Sequence, residues 1–203
     1  MNYSDYWISA GLPKTSKFFN VCKANLKGSD KYLEMVDKIF NWDFKNPSCV
    51  ALLSDYNGNG KTHIAVCLMK KYIADQVKLF EETQQDKYLY GLERVKFKKA
   101  YDIELEILSS FKKESTVSEE AIIEKYCELD FLVIDDMFEK ESEFVRHVML
   151  MLVDKRIDWL CKPTVITSNK TFNEINEKID SRIASRIDNE LLFQIATQKD
   201  YRK

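Results

Sequence analysis

The stretch "LLSDYNGNGKTHIAVCLMKKYI", residues 52–73, decides the fold. Upstream, "SCVALLS" (48–54) follows Pro47 as a short apolar run of the kind found in buried strands. Downstream, from Thr62 to about Ala74, Ile64, Ala65, Leu68, Met69 and Ile73 recur at helical spacing. Between them lies Gly-Asn-Gly-Lys-Thr. A bound triphosphate needs backbone N–H groups converging on its oxygens, a helix N-terminus behind them and a cation. Gly58 and Gly60 let the backbone curl close to phosphate, with Asn57, Asn59 and His63 completing the candidate binding stretch. Lys61 is placed to neutralise the β and γ phosphates, and the Thr62 hydroxyl to bind Mg²⁺. A bare Gly-Lys-Thr also fits a plain strand-to-helix turn; the flanking strand and helix favour the phosphate loop. The usual spacing, G-x-x-x-x-G-K-[ST], puts glycine where this chain has Asp55. Either that carboxylate points inward and opposes phosphate, or the loop starts at Ser54 and leaves Asp55 outside.

The chain of 203 residues is long enough for one α/β domain and short for two. With 45% hydrophobic and 32% charged residues and a net charge of −2, it can bury a core under a surface of mixed sign. Contact with nucleic acid would therefore have to come from a local patch. No apolar run approaches the roughly 20 residues of a membrane span, and the N-terminus lacks a charged-then-apolar leader. Five widely spaced cysteines without C-x-x-C point to reduced thiols and a cytoplasmic setting. Two distant histidines make a zinc site improbable.

Only five glycines and three prolines interrupt the chain, so long elements with short joints are expected. Residues 1–28 read as irregular and aromatic, with a helix following from Ser29. A loop at 84–93 leads to "RVKFKK", an alternating strand, and then to a helix capped by Asp102. Thr116 and Glu119 form a capping-box pattern ahead of "AIIEKYCEL". "FLVIDD" (131–136) is a strand, a helix runs from about Glu141 to Leu160, and "PTVITSN" (163–169) is another strand. "TFNE" (171–174) is a second capping box, "SRIASRI" a short helix and "LLFQIAT" (191–197) the last strand. Strands alternating with helices five times predict a parallel sheet covered on both faces.

In such sheets ligands bind beyond the carboxyl ends of the strands, where Asp135 and Asp136 fall. One carboxylate, Asp135, is the candidate for the Mg²⁺ shell; its neighbour Asp136 is the candidate for orienting a water. Asp136 is one methylene shorter than the Glu often used there, and a displacement of about 1 Å can cost roughly 10²-fold in rate. Slow hydrolysis is expected.

"GNGKTHIA", "LDFLVIDDM", "KPTVITSN", "SRIASRI" and "KDYR" occur in that order. Together they resemble the bacterial helicase-loader ATPases of the DnaC/DnaI type and the related IstB transposition helpers, members of the AAA+ class. The resemblance runs from about Gly11 to the C-terminus. It implies an α/β P-loop NTPase whose five-stranded parallel sheet, in the order 5-1-4-3-2, is sandwiched by helices, with ATP and Mg²⁺ as cofactors and hydrolysis to ADP and phosphate. It implies that Asn169 senses the γ-phosphate or attacking water, and that Arg186 is an arginine finger reaching the nucleotide of a neighbouring subunit. Arg182, four residues away on the same helix face, would sit close by, and Arg202 would be a second phosphate sensor. Set against this family, residues 29–203 read as the ATPase domain. No separate helicase-binding domain is expected before it and no helical lid after it, so residues 1–28 are the candidate docking segment.

Lys96, Lys98, Lys99, Lys112 and Lys113 lie around Phe97, Tyr101 and Phe111, and cations interleaved with aromatics suit single-stranded DNA. In the resembling family this region lines a ring interior. Lysines on an edge strand also guard against aggregation, and Phe97 and Phe111 fit a core by period. The resulting expectation is a cytoplasmic ATP switch in DNA replication that self-associates, binds single-stranded DNA and helps load a replicative helicase. The alternative is a transposition helper or nucleotide-dependent adaptor with little turnover, its partner a transposase. A small-molecule kinase would need an acceptor lid, for which no segment is evident.

Overall fold

Pro47 ends a loop, and the apolar run after it enters the middle of a sheet as β1 (Cys49–Leu53), with all five residues buried. The computed structural model describes residues 3–111, 117–139, 143–188 and 190–195. Its other strands are β2 (Val95–Lys99), β3 (Phe131–Met137), β4 (Thr164–Ser168) and β5 (Leu191–Gln194). All pair in parallel, in the order β2-β3-β4-β1-β5, which is the expected order. The central strands read as unbroken apolar runs because helices cover both faces.

The helices are α1 (Tyr3–Ser9), α2 (Asp30–Phe40), α3 (Lys61–Thr83), α4 (Lys87–Tyr90), α5 (Ala100–Ser110), α6 (Glu119–Cys127), α7 (Glu143–Val153), α8 (Phe172–Glu174) and α9 (Ser181–Asp188). Alternate strand residues point to opposite faces. Cys49, Ala51, Leu53, Leu132, Ile134 and Ile166 share a core with α5, α6, α7 and α9. Val50, Leu52, Phe131, Val133 and Val165 share the other with α2, α3 and the N-terminal segment.

Local chemistry sets the ends. Ser29 caps α2 by accepting the Tyr32 N–H at 3.3 Å, and Thr171 and Glu174 form the expected capping box on α8. At α6 the cap is Ser118, which accepts from the Ala121 N–H; the expected cap Thr116 lies outside the described residues. Helix α5 starts at Ala100, two residues before the expected cap Asp102. Helix α3 outruns its expected end near Ala74 by more than two turns. Polar Asp75 and Gln76 interrupt its apolar pattern, but Val77 stays buried and no glycine or proline intervenes before left-handed Gln84 (φ 54°).

Residues 3–9, expected to be irregular, form α1, whose partner is α3. The Lys70 ammonium lies 4.0 Å from the centre of the Trp7 ring and donates to the carbonyls of Phe19 (2.5 Å) and Val21 (3.0 Å). The chain leaving α1 runs along the outer edge of β2, where the Phe97 N–H donates to Ala10 O at 2.6 Å and Lys96 Nζ to Ser9 O at 2.7 Å. An otherwise open sheet edge is thereby covered. Gly11 has φ 96°, and a Cβ there would sit 2.8 Å from Phe97 O.

On the opposite core, α7 passes into a π-helical turn, Asp154–Trp159. Its Arg156 is completely buried and, among the described residues, has no carboxylate within ion-pair distance. Nη1 donates to the carbonyls of Tyr126 (2.7 Å), Cys127 (3.1 Å) and Leu129 (2.9 Å), Nη2 to Pro163 O (2.9 Å) and Nε to Thr164 Oγ1 (2.9 Å). These include carbonyls at the end of α6, where partial negative charge accumulates. Burial pulls the guanidinium down to about 10, which leaves it charged at neutral pH. Arg156→Met would strand several buried carbonyls, and we expect chemical denaturation to show a loss of about 3–5 kcal/mol.

Candidate functional site

The loop after β1 is organised by a serine. Ser54, fully buried, donates to Ile195 O at 2.7 Å and accepts from the Tyr56 N–H (3.1 Å) and Asn59 Nδ2 (2.6 Å). Asp55 is exposed, so the second of the two alternatives holds: the loop hangs on Ser54 and the carboxylate stays outside. Gly58 and Gly60 have φ 78° and 93°, where L side chains are strained. A Cβ at Gly60 would also sit 2.6 Å from Tyr32 Oη, which donates to Asn59 O at 3.3 Å. Lys61 is 6% exposed, and its Nζ donates to Tyr56 O (2.7 Å) and Asn59 Oδ1 (3.2 Å), so the ammonium is drawn under the loop.

The Thr62 hydroxyl donates to Asp135 Oδ1 at 2.9 Å, and the Thr167 hydroxyl donates to the same oxygen at 2.7 Å. The β3–β4 register slips between Ile134 and Met137, and Asp136 takes φ 56°. Its N–H leaves the ladder and donates to Thr167 Oγ1 at 3.0 Å. For a residue other than glycine this left-handed backbone costs about 1 kcal/mol. It turns Asp136 to the wall of the cavity, where Lys99 Nζ pairs with Oδ2 at 3.0 Å. Burial, then the charge of Asp136, pushes the Asp135 carboxyl up from its ordinary value, while the two threonine hydroxyls pull it back. The hydrogen bond to Asp136 raises Lys99.

These groups face a cavity of about 590 Å³. The stretch 57–63 forms one wall, with Asn57, Gly58, Asn59, Gly60, Lys61, Thr62 and His63 all reaching it. Asp135, Asp136, Lys99 and Asn169 form the strand-end wall. His63 Nε2 lies 3.1 Å from Cys22 O, and burial lowers its basicity. The remaining wall is the N-terminal segment, through Gly11, Leu12, Pro13, Phe18 and Val21.

Other candidate residues lie elsewhere. Arg182 is paired with Asp180 at 2.7 Å, and Arg186 with Asp154 and with Asp158 (2.9 Å); neither arginine lines the cavity. Lys98 is paired with Glu106 at 2.8 Å, and Lys125 pairs with the other oxygen of that carboxylate at 3.0 Å. Burial would raise Glu106, but these two ammonium groups help hold it at about 2. Phe111 is exposed and meets Phe144 edge-on at 5.9 Å. Lys112, Lys113 and Arg202 lie outside the described residues. Sequence reasoning missed Thr167, Tyr32 and the N-terminal wall. The polar "TSN" ending of a buried strand was a usable signal for Thr167; nothing local marked the others.

The donor set fits a magnesium nucleotide. Asp135 is a buried carboxylate held by hydroxyls, and its raised proton affinity is what a nearby divalent cation would relieve. Among the described residues no group of three or more His, Cys, Asp or Glu could hold a metal alone. Mg²⁺ takes one or two carboxylates and completes its shell with phosphate and water, and Asp135 with the Thr62 hydroxyl would supply the protein's share.

No protein-family model matches the chain, and no curated protein matches it. Solved structures do. A crystal structure of the DnaC helicase loader superposes with a TM-score of 0.63 at 15% identity, over 89% of this chain and 99% of that one. A crystal structure of DnaI gives 0.58 at 16% identity, over 91% and 92%. DnaA from Aquifex aeolicus bound to AMPPCP gives 0.58 at 18% identity, over 86% of this chain; the chain spans 49% of that structure. At these identities the likeness is one of fold alone.

Thr167 touches both carboxylates' positions at once, through the side chain of Asp135 and the backbone of Asp136. Thr167→Val removes both bonds with little change of volume. The Asp136 N–H is left without its acceptor and the buried Asp135 carboxylate loses one hydroxyl, and we expect chemical denaturation to show a loss of about 1–3 kcal/mol.

Proposed function

We propose that the chain is an ATP-binding AAA+ switch acting in DNA replication, which self-associates around nucleotide, binds single-stranded DNA and helps place a replicative helicase. The observation that carries this is Lys61 and the Thr62–Asp135 hydrogen bond at the head of one cavity, behind a glycine loop at the start of a long helix. Lys61 and the N–H groups of the loop would bind the β and γ phosphates. Leu12, Pro13, Phe18 and Val21 supply an apolar wall suited to a base. Thr62 and Asp135 would hold Mg²⁺, which supplies neutralisation of phosphoryl charge. Asp136 would orient the attacking water, with Asn169 beside it and Lys99 fixing the carboxylate. Arg186, with Arg182 nearby, would serve the nucleotide of a second copy. The solved structures support this choice of process: DnaC is a helicase loader, and DnaA has been captured with AMPPCP and single-stranded DNA.

A specific observation favours a second reading, an adaptor that binds ATP and scarcely hydrolyses it. Asp136 is short for its role, sits on a strained backbone and is already engaged by Lys99. Steady-state ATPase assays with and without single-stranded DNA, on wild type, Lys61→Ala and Asp136→Ala, separate the two. The switch predicts loss of nucleotide binding in Lys61→Ala and retained binding with turnover down about 10²-fold or more in Asp136→Ala. Wild-type turnover no higher than that of both variants would establish the adaptor.

A further inference from the structure

Arg186 is less available than its neighbour Arg182. Its side chain is 25% exposed and its guanidinium is ion-paired within its own chain; Nη1 and Nη2 are hydrogen-bonded, while the buried Nε has no hydrogen-bond partner among the described residues. Nη1 donates to Arg182 O at 3.0 Å, Nη2 pairs with Asp154 Oδ1, and Nε lies 2.9 Å from Asp158 Oδ2. The two carboxylates are four residues apart on the π-helical turn and both face α9.

That turn is a fixed support. Arg156, between the two aspartates in sequence, points the opposite way and is locked into buried carbonyls and the Thr164 hydroxyl. The backbone that carries the two carboxylates is therefore anchored. Glu190 lies close enough to feel the charge of Asp158 while its carboxylate accepts the Cys49 N–H at 2.9 Å. Removal of the Arg186 cation would leave the Asp154 and Asp158 carboxylates without their shared counter-ion, which draws the side chain back.

We propose that Asp154 and Asp158 form a clamp that competes with the triphosphate of a second copy for Arg186, and so sets how readily the chain assembles. This rests on the reading that Arg186 serves a neighbouring nucleotide. Partly exposed ion pairs are individually weak, whereas a triphosphate offers more charge and a two-pronged hydrogen-bonding geometry that suits a guanidinium. The exchange is then close to balanced, and a diphosphate, with less charge to offer, loses it.

The test is sedimentation velocity of the full chain over a concentration series with Mg²⁺ and either AMPPNP or ADP. It compares wild type, Asp154→Asn/Asp158→Asn, Asp158→Asn alone, Arg186→Ala and the triple variant. Loss of both pairs should lower the assembly midpoint in AMPPNP about tenfold, and loss of the Asp158 pair alone about threefold. There should be little change in ADP and no gain in the triple variant. Carboxamide variants that assemble at the wild-type midpoint, while Arg186→Ala assembles more weakly, would overturn the clamp and leave the role of Arg186 standing. Arg186→Ala assembling as wild type would overturn both. Asp158→Asn breaks the more exposed contact, so its midpoint decides between these outcomes if the double variant is poorly folded.

Discussion

Everything at the strand ends depends on one buried oxygen. Asp135 Oδ1 accepts hydroxyl hydrogen bonds from Thr62 and Thr167, and the residue is 1% exposed. A carboxylate in that position is costly unless its lone pairs are met and a cation can approach. Meeting them forces the start of α3, the end of β3 and the end of β4 into a single cluster. The parallel order β2-β3-β4-β1-β5 achieves this, because β4 lies between β1, which feeds the loop, and β3, which carries the acid. The same cluster breaks the β3–β4 ladder after Ile134 and turns Asp136 toward the cavity. Folding and ligand chemistry thus share a constraint: the residue that would hold the metal also aligns the elements that would hold the phosphate.

The sheet was legible because its signals are local. Four apolar runs, one alternating strand, helical periods between them and the Thr171–Glu174 capping box are read within a few residues, and the resemblance carried by the motifs supplied the strand order. Boundaries failed where tertiary burial overrode local pattern. Asp75 and Gln76 look like a helix end, yet Val77 continues into the core. Tyr3 to Ser9 looks irregular, yet it is helical because it can pack on α3 through Trp7 and Lys70. Asp55 looked like a defect in the loop; Ser54, anchored 141 residues away on Ile195, removes the difficulty and could not be foreseen from neighbouring residues.

The candidate site was legible to the same degree. Residues adjacent in sequence, such as 57–63 and 135–136, could be gathered by motif alone. Thr167, Tyr32 and the segment through Leu12 and Phe18 join the site only through the fold. The lysines show the converse. Lys98 and Lys99 alternate with aromatics as a nucleic-acid stripe would, but in the folded chain one is paired with Glu106 and the other with Asp136 at the cavity wall. Charge counted along a strand says nothing about the carboxylates that the topology brings opposite it.

The central claim is that Asp135, held between two threonines, is the protein's anchor for a magnesium triphosphate. Calorimetric titration of AMPPNP into wild type and Asp135→Asn, each with and without Mg²⁺, tests it most directly. The account predicts that Mg²⁺ tightens binding to wild type and that Asp135→Asn loses about 10–100-fold of affinity in Mg²⁺ while matching wild type without it. An Asp135→Asn protein whose binding responds to Mg²⁺ as the wild type does would contradict it.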